Sequence, residues 1–174
     1  RIGNRQAEGE TLGNLSLLEL RTGDLPTALA LGKQAIAASE ACGDVINLAN
    51  GYTYLGKIHA VSRQWSDAAT AYRTALEIRD EAPHPGRILE LTACLAYLTW
   101  QQGDAGQALI ELVPVLTSLE EEAAVAGSEE PYEVYWICYE ILCANGDPRA
   151  ASLLSTARQR LMAHAARISD PELR

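Results

Sequence analysis

Phenylalanine is absent from the 174 residues, and Val and Ile are sparse outside helical patterns. Ala and Leu dominate the 48% hydrophobic content, a composition that suits helices packed closely through small side chains and argues against a sheet. Basic residues are also few. Fourteen Lys and Arg stand against 23 Asp and Glu, and the formal charge of −9 speaks against a nucleic-acid partner, which would need a basic face for its phosphates. Cysteine occurs four times, at Cys42, Cys94, Cys138 and Cys143, without a CxxC pair or a Cys/His metal spacing. Neither a zinc site nor a disulfide framework is therefore indicated, and the thiols read as buried and free in a reducing cytoplasm. No stretch approaches the 18 or more uncharged apolar residues of a membrane span.

What is present is a period. Ala28, Ala68 and Ala108 lie 40 residues apart, each five residues beyond a corner reading Gly23-Asp24, Arg63-Gln64 or Gly103-Asp104. A fourth corner, Gly146-Asp147, leads in the same way to Ala151. A fixed interval of this size signals a helical repeat. The units run over about 5–43, 45–82, 86–127 and 131–168 and make one domain.

Helix signals alternate with these corners. Residues 6–22 carry Leu12, Leu15, Leu18 and Leu20 and stop at Gly23; Asp24 caps a second helix over 25–42, with Pro26 in its first turn. Helices are expected over 45–62 and 66–81, the latter capped by Ser66 with Asp67 in its first turn. Ala82-Pro83-His84-Pro85-Gly86 reads as a non-helical break. Then come helices over 87–102 and 105–126, Pro114 bending the second, and over 131–144 and 148–168, which Pro131 and Pro148 begin. Glu120-Glu121-Glu122 precedes the loop at Gly127-Ser128. No segment alternates with period two, so essentially no strand is expected. Ile2-Gly3-Asn4 reads as the corner of a preceding repeat, and Ser169-Asp170-Pro171-Glu172 as the cap of a following helix. The chain is accordingly read as a fragment of a longer protein.

The second unit carries Tyr52, Leu55-Gly56, His59, Trp65, Ala68, Tyr72 and Ala75 in recurring slots. The others follow through Leu12, Leu15-Ser16, Ala28, Gly32 and Ala35, through Leu95-Ala96, Ala108, Leu112 and Val115, and more weakly through Tyr135, Cys138 and Ala151, with Tyr139 where a small residue belongs. This pattern resembles the tetratricopeptide repeat, in a form longer than its usual 34 residues. The resemblance implies an all-α, right-handed α-solenoid of four antiparallel helix pairs. The long variant is similar to the C-terminal helical arms of large bacterial signal-transduction ATPases and transcriptional regulators. It also implies that the first helix of each pair lines a partner-binding groove. On this chain those slots hold Asn14, Leu17 and Arg21, then Asn50, Tyr54 and Lys57, then Glu90, Tyr97, Trp100 and Gln101, and finally Glu133, Trp136 and Glu140. The family's carboxylate clamp needs Lys, Asn and Arg at such slots; Asn14, Asn50 and Lys57 only faintly supply them and Glu90, Glu133 and Glu140 oppose it, so no clamp is expected.

Signals for chemistry are weak. Gly51 to Ile58 matches GxxxxGK, but Ile58 replaces the hydroxyl that would hold magnesium and the segment lies within a helix, where Gly56 serves packing. His59, His84 and His164 fall in three different elements, and no Ser or Cys can be paired with any of them by spacing. Glu129, Glu130, Glu133 and Glu140 read as a solvated acidic face. No enzyme, cofactor or metal is expected.

The sequence thus favours a non-catalytic, cytoplasmic scaffold that binds a protein or peptide through Tyr97, Trp100 and Trp136, with basic groups on the partner facing the acidic later units. The alternative is an intramolecular sensor arm that binds a small effector, or its own nucleotide-hydrolysing module, in a closed pocket near those aromatics. A structural spacer is a third reading. In solution the chain is expected to pair end to end with a second copy or to exchange a terminal helix with it.

Overall fold

The computed structural model describes residues 2–121 and 127–168, with the side chains of residues 2–4 and 81 also left aside. Eight α-helices and no strand occur among them: α1 (Ile2–Thr22), α2 (Leu25–Cys42), α3 (Val45–Val61), α4 (Trp65–Glu81), α5 (Pro85–Gln101), α6 (Ala105–Ser118), α7 (Pro131–Ala144) and α8 (Arg149–Ala165). They gather into two compact units, α1–α4 up to His84 and α5–α8 from Pro85 onward. The proline break read from the sequence lies at that division.

In the first unit, α1 packs on α2, α2 on α3, and α3 on α4. Small residues set the approach. Ser16 Oγ donates to the Ala28 carbonyl at 2.7 Å. A methyl group at Gly13 would sit 4.0 Å from Ala35 Cβ, and one at Gly9 would press to 2.8 Å from Ser39 Oγ. These contacts progress in opposite directions along the two helices, so α1 and α2 are antiparallel. Next, α2 meets α3 through Ile36 on Gly51 and Gly32 on Ile58. Tyr72 of α4 lies so close to Gly56 that any side chain there would overlap its ring. The GxxxxGK segment is consequently mid-helix in α3, with both of its glycines under a neighbouring side chain.

In the second unit α5 packs on α6 and α7, α6 on α7, and α7 on α8. Thr99 donates to Glu111 across α5 and α6 at 2.7 Å, and Asn145 Nδ2 donates to the Ala105 carbonyl at 2.8 Å, joining α6 to α7. Leu91, Leu98, Leu112, Val115, Val134, Ile141 and Leu142 are buried here.

The corners explain the period. Gly23 and Gly103 hold φ of 92° and 97°, and between them, 40 residues from each, Arg63 takes φ 57°. The following residue opens the next helix: Asp24 and Asp104 accept from Thr27 N and Gln107 N. Ala28, Ala68 and Ala108, reached by the first i→i−4 bonds, are wholly buried.

Several sequence expectations need correction. Ser66 is not the cap of α4; Gln64 is, without a side-chain bond to the helix, because its amide oxygen is taken by His59 Nδ1 at 2.6 Å. Pro85 and Gly86 lie in the first turn of α5, since proline fits a helix start. α6 ends at Ser118, with Pro114 inside it. The residues 122–126, and the expected cap at Ser169-Asp170, lie outside the described residues. In the fourth unit Ala150, not Ala151, is buried. There the Ala150 N–H bonds the Asp147 carbonyl three residues back rather than four, which removes one residue from the first turn. Cys94 and Cys138 are buried, but Cys42 is half-buried and Cys143 exposed.

Two outcomes follow from the corners. A non-glycine residue in the left-handed region costs on the order of 1 kcal/mol, so Arg63→Gly should stabilise the chain by about 0.5–1 kcal/mol in denaturant unfolding. A loss of stability would show that the Arg63 side chain has a compensating contact. The hydrogen bonds from Arg149 hold the Asp147 carboxyl down at about 2, below its ordinary 3.8, and those from Thr27 also lower Asp24. Depressed carboxyl values stabilise the fold above pH 4 and lose that contribution as pH falls toward 2. Asp147→Asn should flatten this part of the stability–pH profile, and an unchanged slope would mean that the bonds from Arg149 to the Asp147 carboxylate contribute nothing to the fold.

Candidate functional site

The groove slots divide between the two units, and their depths differ. In the first unit Asn14 and Arg21 of α1 are exposed, while Leu17 is buried beneath them. Asn50 is half-buried on α3 and accepts from Arg79 Nη2 of α4 at 2.5 Å. That bond serves a guanidinium only 3% exposed. Tyr54 and Lys57 are buried as well, with Lys57 only 8% exposed. Leu17, Tyr54 and Lys57 therefore contribute to the body of the unit and leave Asn14, Arg21 and part of Asn50 facing outward.

In the second unit the aromatic slots are the accessible ones. Tyr97 and Trp100, one helical turn apart on α5, meet edge to face with ring centroids 5.6 Å apart, and both are half-buried. Trp136 of α7 is 54% exposed. Its ring lies 5.6 Å from that of Tyr139, so two large apolar surfaces stand together at solvent. Tyr139 is in turn hydrogen-bonded with the exposed Cys143, which raises its phenol above the ordinary value. Gln101, Glu133 and Glu140 are half-buried on the same two helices.

Glu90 has a different role from the one its slot implies. It is 1% exposed. Its Oε2 accepts from Ser128 Oγ at 3.1 Å and from the Glu129 backbone N–H at 3.2 Å. Arg87 lies 3.6 Å from the same oxygen and 2.6 Å from Glu129. A carboxylate taken out of water needs such partners, because its desolvation otherwise costs several kcal/mol. Glu90 thus pins the chain that enters α7 to the first turns of α5.

A cavity of about 570 Å³ opens between α7 and α8. Its walls include Tyr132 and Tyr135 of α7, Arg160 and His164 of α8, and Arg167 just past the end of α8. None of the groove slots lines it. The pocket expected near Tyr97, Trp100 and Trp136 by the sensor reading is therefore not this one. Its sequence signal was the density of tyrosine in α7 opposite the arginines of α8, which slot matching along first helices passes over. Among the described residues no group of three or more His, Cys, Asp or Glu could hold a metal ion. No helix among them is long and apolar enough to cross a membrane. Burial pushes the Cys138 thiol up to about 12, so this cysteine stays protonated and packs as an apolar residue.

These features define an all-helical protein of stacked helices with an aromatic surface on its second unit. No protein-family model matches the chain, and no curated protein matches its sequence. Among solved structures it is similar to the crystal structure of BtubC (BKLC) from P. vanneervenii, with a TM-score of 0.69 and 18% identity over 94% of this chain. That similarity is one of fold. The chain spans 66% of that protein's length.

Replacing Glu90 by Ala removes the acceptor for the loop and leaves Arg87 with one carboxylate fewer. It should destabilise the second unit by about 2–4 kcal/mol and speed amide exchange at Ser128 and Glu129. Exchange rates at those two amides equal to the unchanged protein's would mean that other contacts hold the loop.

Proposed function

We propose that the chain is a non-catalytic helical-repeat module of the tetratricopeptide type that binds a protein or peptide, with Trp136 and Trp100 as its anchors. The observation that carries this reading is the 54% exposure of Trp136 beside Tyr139. A chain with no Phe and only three Trp leaves a large indole in water, and partly exposed Trp and Tyr are the side chains that most often carry binding energy in interfaces. Glu133 and Glu140 flank Trp136 on α7, and with the net charge of −9 they favour a partner segment carrying Lys or Arg. The left-handed corners at 23, 63 and 103 support a 40-residue helical repeat, and the right-handed solenoid is what the tetratricopeptide resemblance implies. The resemblance to the helical arms of bacterial signalling ATPases supports a place within a larger cytoplasmic regulatory protein.

The test is selection of peptides from a random library on the immobilised chain, run beside a Trp100→Ala, Trp136→Ala variant whose circular dichroism matches the parent. Retained peptides should carry Lys or Arg next to an apolar residue, and their affinity should fall about tenfold or more in the variant. Enrichment of no sequence, or of sequences bound equally by the variant, would overturn the reading.

A further inference from the structure

In the first unit, α1 approaches α2 closely through Gly9, Gly13 and Ser16. Where α7 faces α8, the corresponding contacts are made by large groups. Arg160 Nη1 donates to the Tyr135 hydroxyl, and the Tyr132 hydroxyl lies 3.5 Å from His164 Nδ1. Long side chains meeting tip to tip hold the two helices apart, and the cavity of about 570 Å³ is the space between them. That volume is within the range that holds a small organic molecule.

The lining is selective in charge. In a chain with 23 acidic residues and 14 Lys and Arg, the charged side chains at this cavity among the described residues are Arg160 and Arg167, with His164 beside them, and no described Asp or Glu lines it. Arg160 is fixed in place: its guanidinium sits 5.8 Å from the centroid of the Tyr135 ring in addition to the bond to that hydroxyl. One of its five N–H groups is thereby used, and the fork keeps others for an acceptor. Arg167 completes the basic edge. The opposite wall is aromatic. Tyr132 and Tyr135 have ring centroids 6.5 Å apart at an interplanar angle of 31°. Tyr135 is only 3% exposed with Arg160 over its ring, so the half-buried Tyr132 offers the face for a flat ring, and the cationic edge suits a carboxylate or phosphate on it.

We propose that the cavity between α7 and α8 is a binding site for a small planar anion, an aromatic ring bearing a carboxylate or phosphate group. The ring lies against Tyr132, with Tyr135 behind as the brace of Arg160, and the anionic group takes charge-assisted hydrogen bonds from Arg160 and Arg167, with His164 beside it. The site is separate from the Trp136 surface and does not depend on that surface's function.

The 174-residue chain is titrated by calorimetry with benzoate and phenyl phosphate, which separate the two anionic groups. Benzyl alcohol tests the ring without charge, and inorganic phosphate tests the charge without a ring. At least one of the two aromatic anions should bind with a Kd below about 1 mM. Both controls should bind at least about tenfold more weakly, and Arg160→Met or Arg167→Ala should weaken the aromatic anion by about tenfold. Because Arg160 also braces Tyr135, Tyr132→Leu provides a second loss-of-binding variant, and Arg158→Ala, outside the cavity, should bind as the parent does. Equal affinity for benzyl alcohol would reduce the site to an apolar crevice and overturn the proposal. So would absence of binding by both aromatic anions, or binding indifferent to Arg160→Met and Arg167→Ala. Tighter binding of an acidic, tyrosine-containing peptide than of either small anion would assign the cavity to a macromolecular partner and overturn the small-ligand reading.

Discussion

The close approach of neighbouring helices at small residues is the constraint on which the rest of the first unit depends. Ser16 can donate to the Ala28 carbonyl only because α1 carries glycine one and two turns earlier, and Tyr72 can lie across α3 only because residue 56 has no side chain. Each such contact removes the space that a larger core residue would occupy, which is why a chain without phenylalanine still buries its interior. The wholly buried alanines at 28, 68 and 108 are the recurring points of this packing. Dispersion over many tight contacts replaces the bulk of a few large side chains.

The second unit departs from that rule, and its candidate sites occur where it departs. α7 brings Tyr132, Tyr135, Trp136 and Tyr139 into one helix. Tyr135 turns inward, Trp136 outward, and Tyr132 toward α8. The inward ring braces an arginine, and the outward one is left for water or a partner. Its packing partner α8 is correspondingly thin in apolar contacts, with Ala150 its one buried residue and Leu154, Leu161 and Met162 exposed. Less of the helix is committed to the core, so more of its surface is available to ligands.

Much of the architecture was legible in the sequence because it is written in backbone requirements. Glycine before aspartate sets the end of one helix and the cap of the next, and Arg63-Gln64 could be aligned to the same corner by its distance from Ala68. The failures were local. Ser66 looked like a cap because hydroxyls usually make one, but the corner register had already assigned that place to Gln64. Ala151 failed because a tightened first turn shifts α8 by one residue, which no spacing rule anticipates. The groove slots gave the helix face but not the depth. Leu17, Tyr54, Lys57 and Glu90 sit on the anticipated helices and are buried there. Depth depends on neighbours distant in sequence, such as Ser128 and Glu129 over Glu90.

The Glu90 attachment also sets an order of assembly. Successive helices such as α1 and α2 join across a separation as short as 12 residues, between Ser16 and Ala28. Arg87 and Glu129 meet across 42. Loop closure over the longer span costs about 1 kcal/mol more in chain entropy, since each doubling of length adds about 0.6 kcal/mol. Helical hairpins therefore close ahead of it, and the α5–α7 junction waits on a longer search. The long-range ion pair at the entrance to α7, with the Asn145–Ala105 bond across 40 residues, places the closing of the second unit after its hairpins.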